Sequence, residues 1–379
     1  EIPTAGANKA VDVPSMWQKT TDNGIKILGA QSIETPTTSL LLKIPAGNYY
    51  TDKDKAGTVS MLARMLNEST TKRSAEDMSN ELNKLGSSVY ISAGNQYLNV
   101  NVSALTKNID ATLALVKEKL TMPAFKADEF ARVKSNAVQG VINSKKDAGY
   151  LASRAYRQLL HADNIAAMPS GGTEASINSI ELADVKAFFE KQVKPFDSQL
   201  IVVSDMPEKK VTKTLAVLDS WKGKGEVLSL TLPVPDTKMG VVYLVNKDKA
   251  AQSAIRIGKR SITQDITGEY YKSYLMNFPL GGAFNSRINL NLREDKGYTY
   301  GARSYFSANK LAGFYTASAE VRADATDKSI VEFVNEIKAY AGKGITDAEL
   351  NFMRNAINQK DALKYETPRA KLGFLAQIL

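Results

Sequence analysis

The sequence predicts an α+β fold built twice, each half a mainly antiparallel sheet with helices packed on one face. Three observations predict it. Short segments of period two alternate with longer segments of helical period in one fixed order. That order recurs after a linker at residues 223–238 that contains Pro233 and Pro235. The 379 residues, 43% hydrophobic and 23% charged, are enough for two separate cores. The halves are expected at residues 1–225 and 239–379, the second incomplete at its C-terminal end.

Residues 1–20 read as an extended leader. The turn Asp22-Asn23-Gly24 opens a short strand at 25–28, and a second strand at 38–44 stops at Pro45-Ala46-Gly47. A helix follows at 56–67. Another spans 74–85, with Ser74 as its N-cap and Gly86 as its stop. Residues 88–104 alternate as a hairpin through Val89, Ile91, Leu98, Val100 and Val102. Helices are predicted at 109–120, 128–145, 150–160 and 181–192, and a buried strand at 198–204.

The second half repeats the plan. Strands are predicted at 241–246 and 254–260, helices at 269–278 and 285–294, and a hairpin at 298–307 and 313–321. A helix at 327–340 follows. Thr346 and Glu349 then form a capping box for a helix reaching about residue 363. Residues 85–89, LGSSV, correspond to 296–300, KGYTY, and residues 157–160 to 376–379. In the first half a helix and a closing strand come after that point. The second half has no counterpart, so an open sheet edge is expected there.

Composition excludes several functions. The net charge of +9 is dispersed, with runs no longer than Lys209-Lys210 or Lys222-Gly223-Lys224, so no nucleic-acid footprint is present. A basic surface instead favours acidic peptides or a negatively charged partner. No apolar run approaches the roughly 20 residues of a membrane span. Without cysteine there is neither a disulfide framework nor thiol chemistry. The single histidine, His161, reads as a surface or helix-end residue. One His and no Cys can hardly form the three-ligand set of a catalytic zinc.

Four segments in order carry a family resemblance. They are residues 21–27 (TDNGIKI), 55–66 (KAGTVSMLARML), 172–180 (GTEASINSI), and 281–287 with 292–300 (GGAFNSR and LREDKGYTY). Together the chain resembles the insulinase/pitrilysin zinc metallopeptidases. It is similar to the non-catalytic half or inactive subunit of two-half bacterial enzymes and to mitochondrial processing peptidase subunits. In active members the first helix carries H-x-x-E-H, whose two His share a helix face and bind zinc while the Glu serves as general base. A Glu on a later helix is the third ligand. The matching positions here are Ser60, Ala63, Arg64 and Gly140. None can replace its counterpart, and Arg64 sets a permanent positive charge where the dication would sit. The resemblance therefore implies no metal bound by this chain and no catalytic residue on this half alone.

Arg293 and, seven residues later, Tyr300 match the pair with which the family's second domain contacts substrate near the scissile carbonyl. A guanidinium and a phenol can both donate to the oxygen on which hydrolysis develops negative charge. Tyr298, Tyr305 and Phe306 are candidates to line a peptide groove beside Tyr300, and Trp17 and Trp221 are expected anchors of the first half. The implied function is the non-catalytic half of a zinc endopeptidase, inactive alone. Its partners are a zinc-bearing homologous half and a peptide substrate. The expected location is periplasmic or secreted, with the cytoplasm also open. The alternative is an interaction protein that keeps the fold without proteolysis, as the similar core subunits of a respiratory complex imply.

Overall fold

The computed structural model describes residues 13–232, 234–235, 240–265 and 268–378. The expected leader and linker thus lie partly outside the described residues. The strands are β1 (Met16–Thr20), β2 (Lys26–Gln31), β3 (Thr37–Ile44), β4 (Ser88–Ala93), β5 (Leu98–Leu105), β6 (Gln199–Ser204), β7 (Gln252–Ser261), β8 (Thr299–Ala308) and β9 (Gly313–Arg322). The first helices are α1 (Thr58–Met65), α2 (Ala75–Lys84), α3 (Ile109–Thr121), α4 (Ala127–Ser144) and α5 (Ala148–His161). Next come α6 (Glu174–Ser179), α7 (Leu182–Gln192), α8 (Glu208–Leu215) and α9 (Glu269–Asn277). The last are the single turn α10 (Arg287–Asn289), α11 (Thr326–Lys343), α12 (Asp347–Leu363) and α13 (Pro368–Ile378). The mixed α+β class follows, and the chain divides into two compact units.

The first unit holds residues up to Val141, Pro169–Ser229 and the segment from Gln359. Its sheet is ordered β1-β2-β6-β3-β5-β4, antiparallel throughout except between β2 and β6. Leu40 stands between Val102 and Val202, and Leu42 between Val100 and Leu200, so one sheet face carries a continuous apolar stripe. Val59, Leu62 and Met65 of α1, Leu113 and Val116 of α3, and Phe130 and Val133 of α4 close over that stripe. Each fully buried aliphatic side chain here contributes about 2 kcal/mol. The alternate residues Leu28, Ala30, Ile201 and Val203 face the other way and pack on Leu375 of α13. Ser74 caps α2 by accepting from the Asp77 amide at 3.0 Å, and Gly86 ends that helix region at φ +60°. Trp221 is buried in this core, and Trp17 packs against it.

The second unit holds Ile142–Met168 and Leu230–Asn358. Its strands run β7-β9-β8, all antiparallel. Ile255, Ala302, Ala317, Ala319 and Val321 form the inner face, under Ile288, Leu292, Phe333 and Tyr340. On the opposite face lies α5. The Tyr156 hydroxyl is 3.1 Å from the Tyr315 carbonyl oxygen and 3.0 Å from Thr316 Oγ1. A Cβ at Gly258 would collide with that hydroxyl, so β7 needs glycine there. Thr346 and Glu349 form the expected capping box, Glu349 accepting from the Thr346 amide at 2.8 Å.

The sequence repeat and the compact units divide the chain differently. The helices that correspond in the two sequence copies, α5 and α13, each cover the sheet of the other copy. Two local expectations are corrected. Residues 241–246 form no strand: Val241, Val242, Tyr243, Leu244 and Val245 are exposed, and among the described residues none pairs with them. Apolar alternation makes a segment extended, but a strand exists only beside a hydrogen-bonded neighbour. The expected helix at 285–294 is α10 continued by a π-helical turn, Leu290–Asp295, whose Lys296 amide donates to the Asn291 carbonyl at 3.0 Å.

Candidate functional site

The first candidate lies on α1. Ser60, Ala63 and Arg64 follow one another at i, i+3 and i+4, the spacing that aligns side chains along one edge of a helix. Ser60 Oγ donates to the Ser170 carbonyl at 2.8 Å, Ala63 is buried in the core, and Arg64 is exposed. Gly140, on α4, is exposed and has open space where a Cβ would stand. Behind the helix end, buried Lys119 donates to the carbonyls of Leu66 and Asn67 at 3.3 and 3.4 Å, and burial lowers its pKa. A cation there suits the negative end of the helix. The donor set does not fit zinc: a hydroxyl committed to a carbonyl, a methyl group, a guanidinium and a bare backbone. Among the described residues no group of His, Cys, Asp or Glu is placed to hold a metal ion.

The second candidate lies in the other unit, and its geometry starts with backbone irregularities. After α9 the chain makes a π turn, Phe278–Gly282, and Gly281 presses so close to Ser304 that any Cβ would collide. Asn277 locks this approach: its amide donates to the Ser304 carbonyl at 2.7 Å and accepts the Ser304 hydroxyl at 2.6 Å. The second π turn carries Arg293. Such turns are rare and are frequent at functional sites.

Arg293 lies with its guanidinium carbon 4.5 Å from the centre of the Phe284 ring, and its Nε is 3.4 Å from Glu294 Oε1. Tyr300 sits where β8 slips register against β9, between Thr299 and Ala302. Thr299 Oγ1 donates to the Glu320 carbonyl at 2.6 Å and accepts from the Gly301 amide at 3.1 Å, which shapes the bulge. The Tyr300 side chain is 91% exposed. Asn289 joins the parts. Only 4% exposed, it donates to the Phe284 carbonyl at 2.7 Å and accepts from the Ala302 amide at 2.9 Å.

The remaining sequence candidates divide. Phe306 packs on Tyr315 at 5.0 Å between ring centres, and Tyr315 packs in turn against the core. Tyr305 is exposed, with the Arg303 guanidinium 5.7 Å from its ring centre. His161 is the last residue of α5, as expected, but it is only 8% exposed and packs on Phe314 at 4.7 Å. Sequence reasoning missed Phe284 and Asn289. A large aromatic inside the glycine loop GGAFNSR was the available signal for the first. Asn289 in an apolar helix turn was the signal for the second.

Two family models match the chain, one after the other. Residues 26–169 match the family model described as insulinase, peptidase family M16. Residues 179–357 match the model described as the peptidase M16 inactive domain. A Helicobacter pylori protein described as non-peptidase homolog YmxG is 26% identical over 337 residues, 88% of this chain and 76% of that protein. The crystal structure of a peptidase M16 inactive domain from Pseudomonas fluorescens superimposes with a TM-score of 0.87 at 23% identity, covering 95% of this chain and 86% of that one. The periplasmic protease PqqL from Escherichia coli superimposes with a TM-score of 0.80 at 14% identity, covering 97% of this chain but 41% of that one.

Proposed function

Because this chain belongs to the M16 insulinase family and carries its inactive domain, we propose that it is the non-catalytic half of a zinc endopeptidase. Its role is to complete a peptide-binding chamber whose zinc is held by a homologous partner half. The observation that carries this reading is Tyr300. A tyrosine left 91% exposed near the start of its strand, at a bulge held by Thr299, contributes almost nothing to folding. Its hydroxyl is free to donate to an oxygen that gains negative charge. Arg293, stacked on Phe284, offers the guanidinium edge to the same kind of acceptor. Acidic or carboxylate-bearing peptides also suit the net charge of +9.

The fold likeness to PqqL, of which this chain covers 41%, supports a unit that works inside a larger protease, and a periplasmic or secreted location fits it. Among the described residues no helix is long and apolar enough to cross a membrane. The second reading is an interaction protein without proteolysis. It draws support from the description of the H. pylori relative as a non-peptidase homolog.

One experiment separates them. The zinc-bearing half is reconstituted with this chain, wild type or mutant, and peptide turnover is followed. Tyr300→Phe removes only a hydroxyl and is expected to lower turnover about 100-fold, with Arg293→Ala costing as much or more. Unchanged turnover with both variants, or full activity of the partner half alone, would select the interaction protein.

A further inference from the structure

We propose that Phe284 and Asn289 are positioning residues that hold Arg293 in a ligand-ready orientation, an inference that rests on the reading of Arg293 as a peptide contact. Phe284 is 66% exposed, so burial does not explain an aromatic residue in this glycine loop. What the ring does is lie against the guanidinium at 4.5 Å. Stacking occupies the flat face of an arginine and leaves its edge donors free. The neighbouring carboxylate of Glu294 reaches only Nε. Among the described residues no hydrogen bond is made by the two Nη groups, so the outer edge of the fork stays open to an oxygen ligand. Without the ring, a long flexible side chain would be left to sample positions around Glu294.

Asn289 fixes where that platform stands. Its buried amide ties the carbonyl of Phe284 on one side to the amide of Ala302 on the other. Ala302 closes the bulge that turns Tyr300 outward. Asn289 itself precedes Arg293 by four residues on the same helical run, close to one turn. One side chain thereby links the ring under Arg293, the helix that carries Arg293 and the strand that carries Tyr300. A leucine at 289 would leave the Ala302 amide without its acceptor and release the loop.

The test is a double-mutant cycle on peptide binding by the whole chain, using fluorescein-labelled casein peptides as the probe. Arg293→Ala is expected to weaken binding about tenfold. Phe284→Leu keeps an apolar side chain but removes the π face, and is expected to weaken binding about three- to fivefold at unchanged Tm. Phe284→Tyr should restore wild-type affinity, and Asn289→Ala should weaken binding in step with Phe284→Leu. In the Arg293→Ala background, Phe284→Leu should have no further effect, a coupling that a merely structural ring would not show. The Arg293 Nε–Hε resonance should also lose its ring-current shift in Phe284→Leu. Full effect of Phe284→Leu in both backgrounds, or none in the wild type, overturns the positioning role while the Arg293 reading stands. Wild-type binding by Arg293→Ala overturns both.

Discussion

Two helices of this protein, α1 in one unit and α9 in the other, end in the same device. Asn67, just past α1, donates to the Ile91 carbonyl at 2.8 Å and accepts from the Ile91 amide at 3.1 Å, so it ties the helix end to β4. Asn277, the last residue of α9, exchanges two hydrogen bonds with Ser304 of β8. Both strands are outermost in their sheets among the described residues. The scaffold is thus the same, and the chemistry on it is not. Outward from α1 stand Ser60 and Arg64, neither able to hold a metal. Beyond α9 the chain departs from regular helix twice and leaves Tyr300 exposed and Arg293 partly so. The comparison teaches that scaffold and site are separable. A core of Val59, Leu62 and Met65 keeps α1 in place whatever its outer face carries.

The largest expected effect tests that separability. If α1 and α4 still hold their backbones where a zinc site needs them, only side chains are missing. The triple variant Ser60→His, Arg64→His, Gly140→Glu supplies two imidazoles at i and i+4 and a carboxylate on α4. It also removes the guanidinium charge. Gly140 is exposed with open space at its Cβ, so a side chain can start there without a collision. Wild-type protein should show no stoichiometric zinc by elemental analysis, and the variant should approach one zinc per chain, lost on chelation. A correctly folded variant that still binds none would mean that the backbone, and not just the ligand set, has drifted.

A smaller effect separates the two exchanged helices. In α5, His161 is held neutral: burial pushes its pKa down to about 4, with the cations Arg260 and Arg157 adding to the push. Its Nδ1 has no hydrogen-bond partner among the described residues. The folded value lies below the unfolded one, so the unfolded chain takes up the proton first. The stability involved is full above pH 6.5 and is lost as pH falls from there to about 4, a total of about 3 kcal/mol. In α13 the anchor is charged. Lys371 donates to Ser32 and Glu34, each at 2.8 Å, and holds the Glu34 pKa at about 2. That contribution is present above pH 4.5 and is lost only as pH falls toward 2. Acidification to pH 4 should therefore lower the amide protection factors of α5 while those of α13 hold. His161→Leu should abolish the difference. Loss of both helices together would show that the two anchors do not act separately.

Much of this was legible in the sequence, and the limits have physical causes. Strand alternation at Ile91, Leu98, Val100 and Val102, the Ser74 cap and the Thr346–Glu349 box are local signals with local consequences, and the structure shows each. The matching models for the two domains agree with the family read from the ordered motifs. What stayed hidden depends on the partner of a segment, which no local pattern encodes. Residues 241–246 have the composition of a strand but, among the described residues, no neighbour to pair with. The end of α5 looks like a surface helix end, yet it meets Phe314 from a distant strand. Asn289 was missed for the same reason: its two hydrogen bonds reach residues 284 and 302, one of them across a strand boundary.

The smallest expected effect returns to the paired asparagines, where the scaffolds should prove equal. Asn67→Ala removes the acceptor of the Ile91 amide and the donor to its carbonyl. Asn277→Ala strands the Ser304 carbonyl and hydroxyl in the same way. A buried polar group left without a partner costs about 1–3 kcal/mol, so each variant should lose about 2 kcal/mol of local stability. Because the two sites lie in different compact units, the losses should add in the double variant. The functional consequence should differ. In the unit of α9 the clamp holds β8, which carries Tyr300, so Asn277→Ala should also weaken peptide binding. In the other unit the clamp holds β4, and Asn67→Ala should leave peptide binding by this chain unchanged. Hydrogen exchange at the Ile91 and Ser304 strands, with peptide affinity measured on the same samples, reads both quantities. Equal loss of affinity from both variants would mean that the face carried by α1 still touches peptide, and the division of labour drawn between the two units would have to be abandoned.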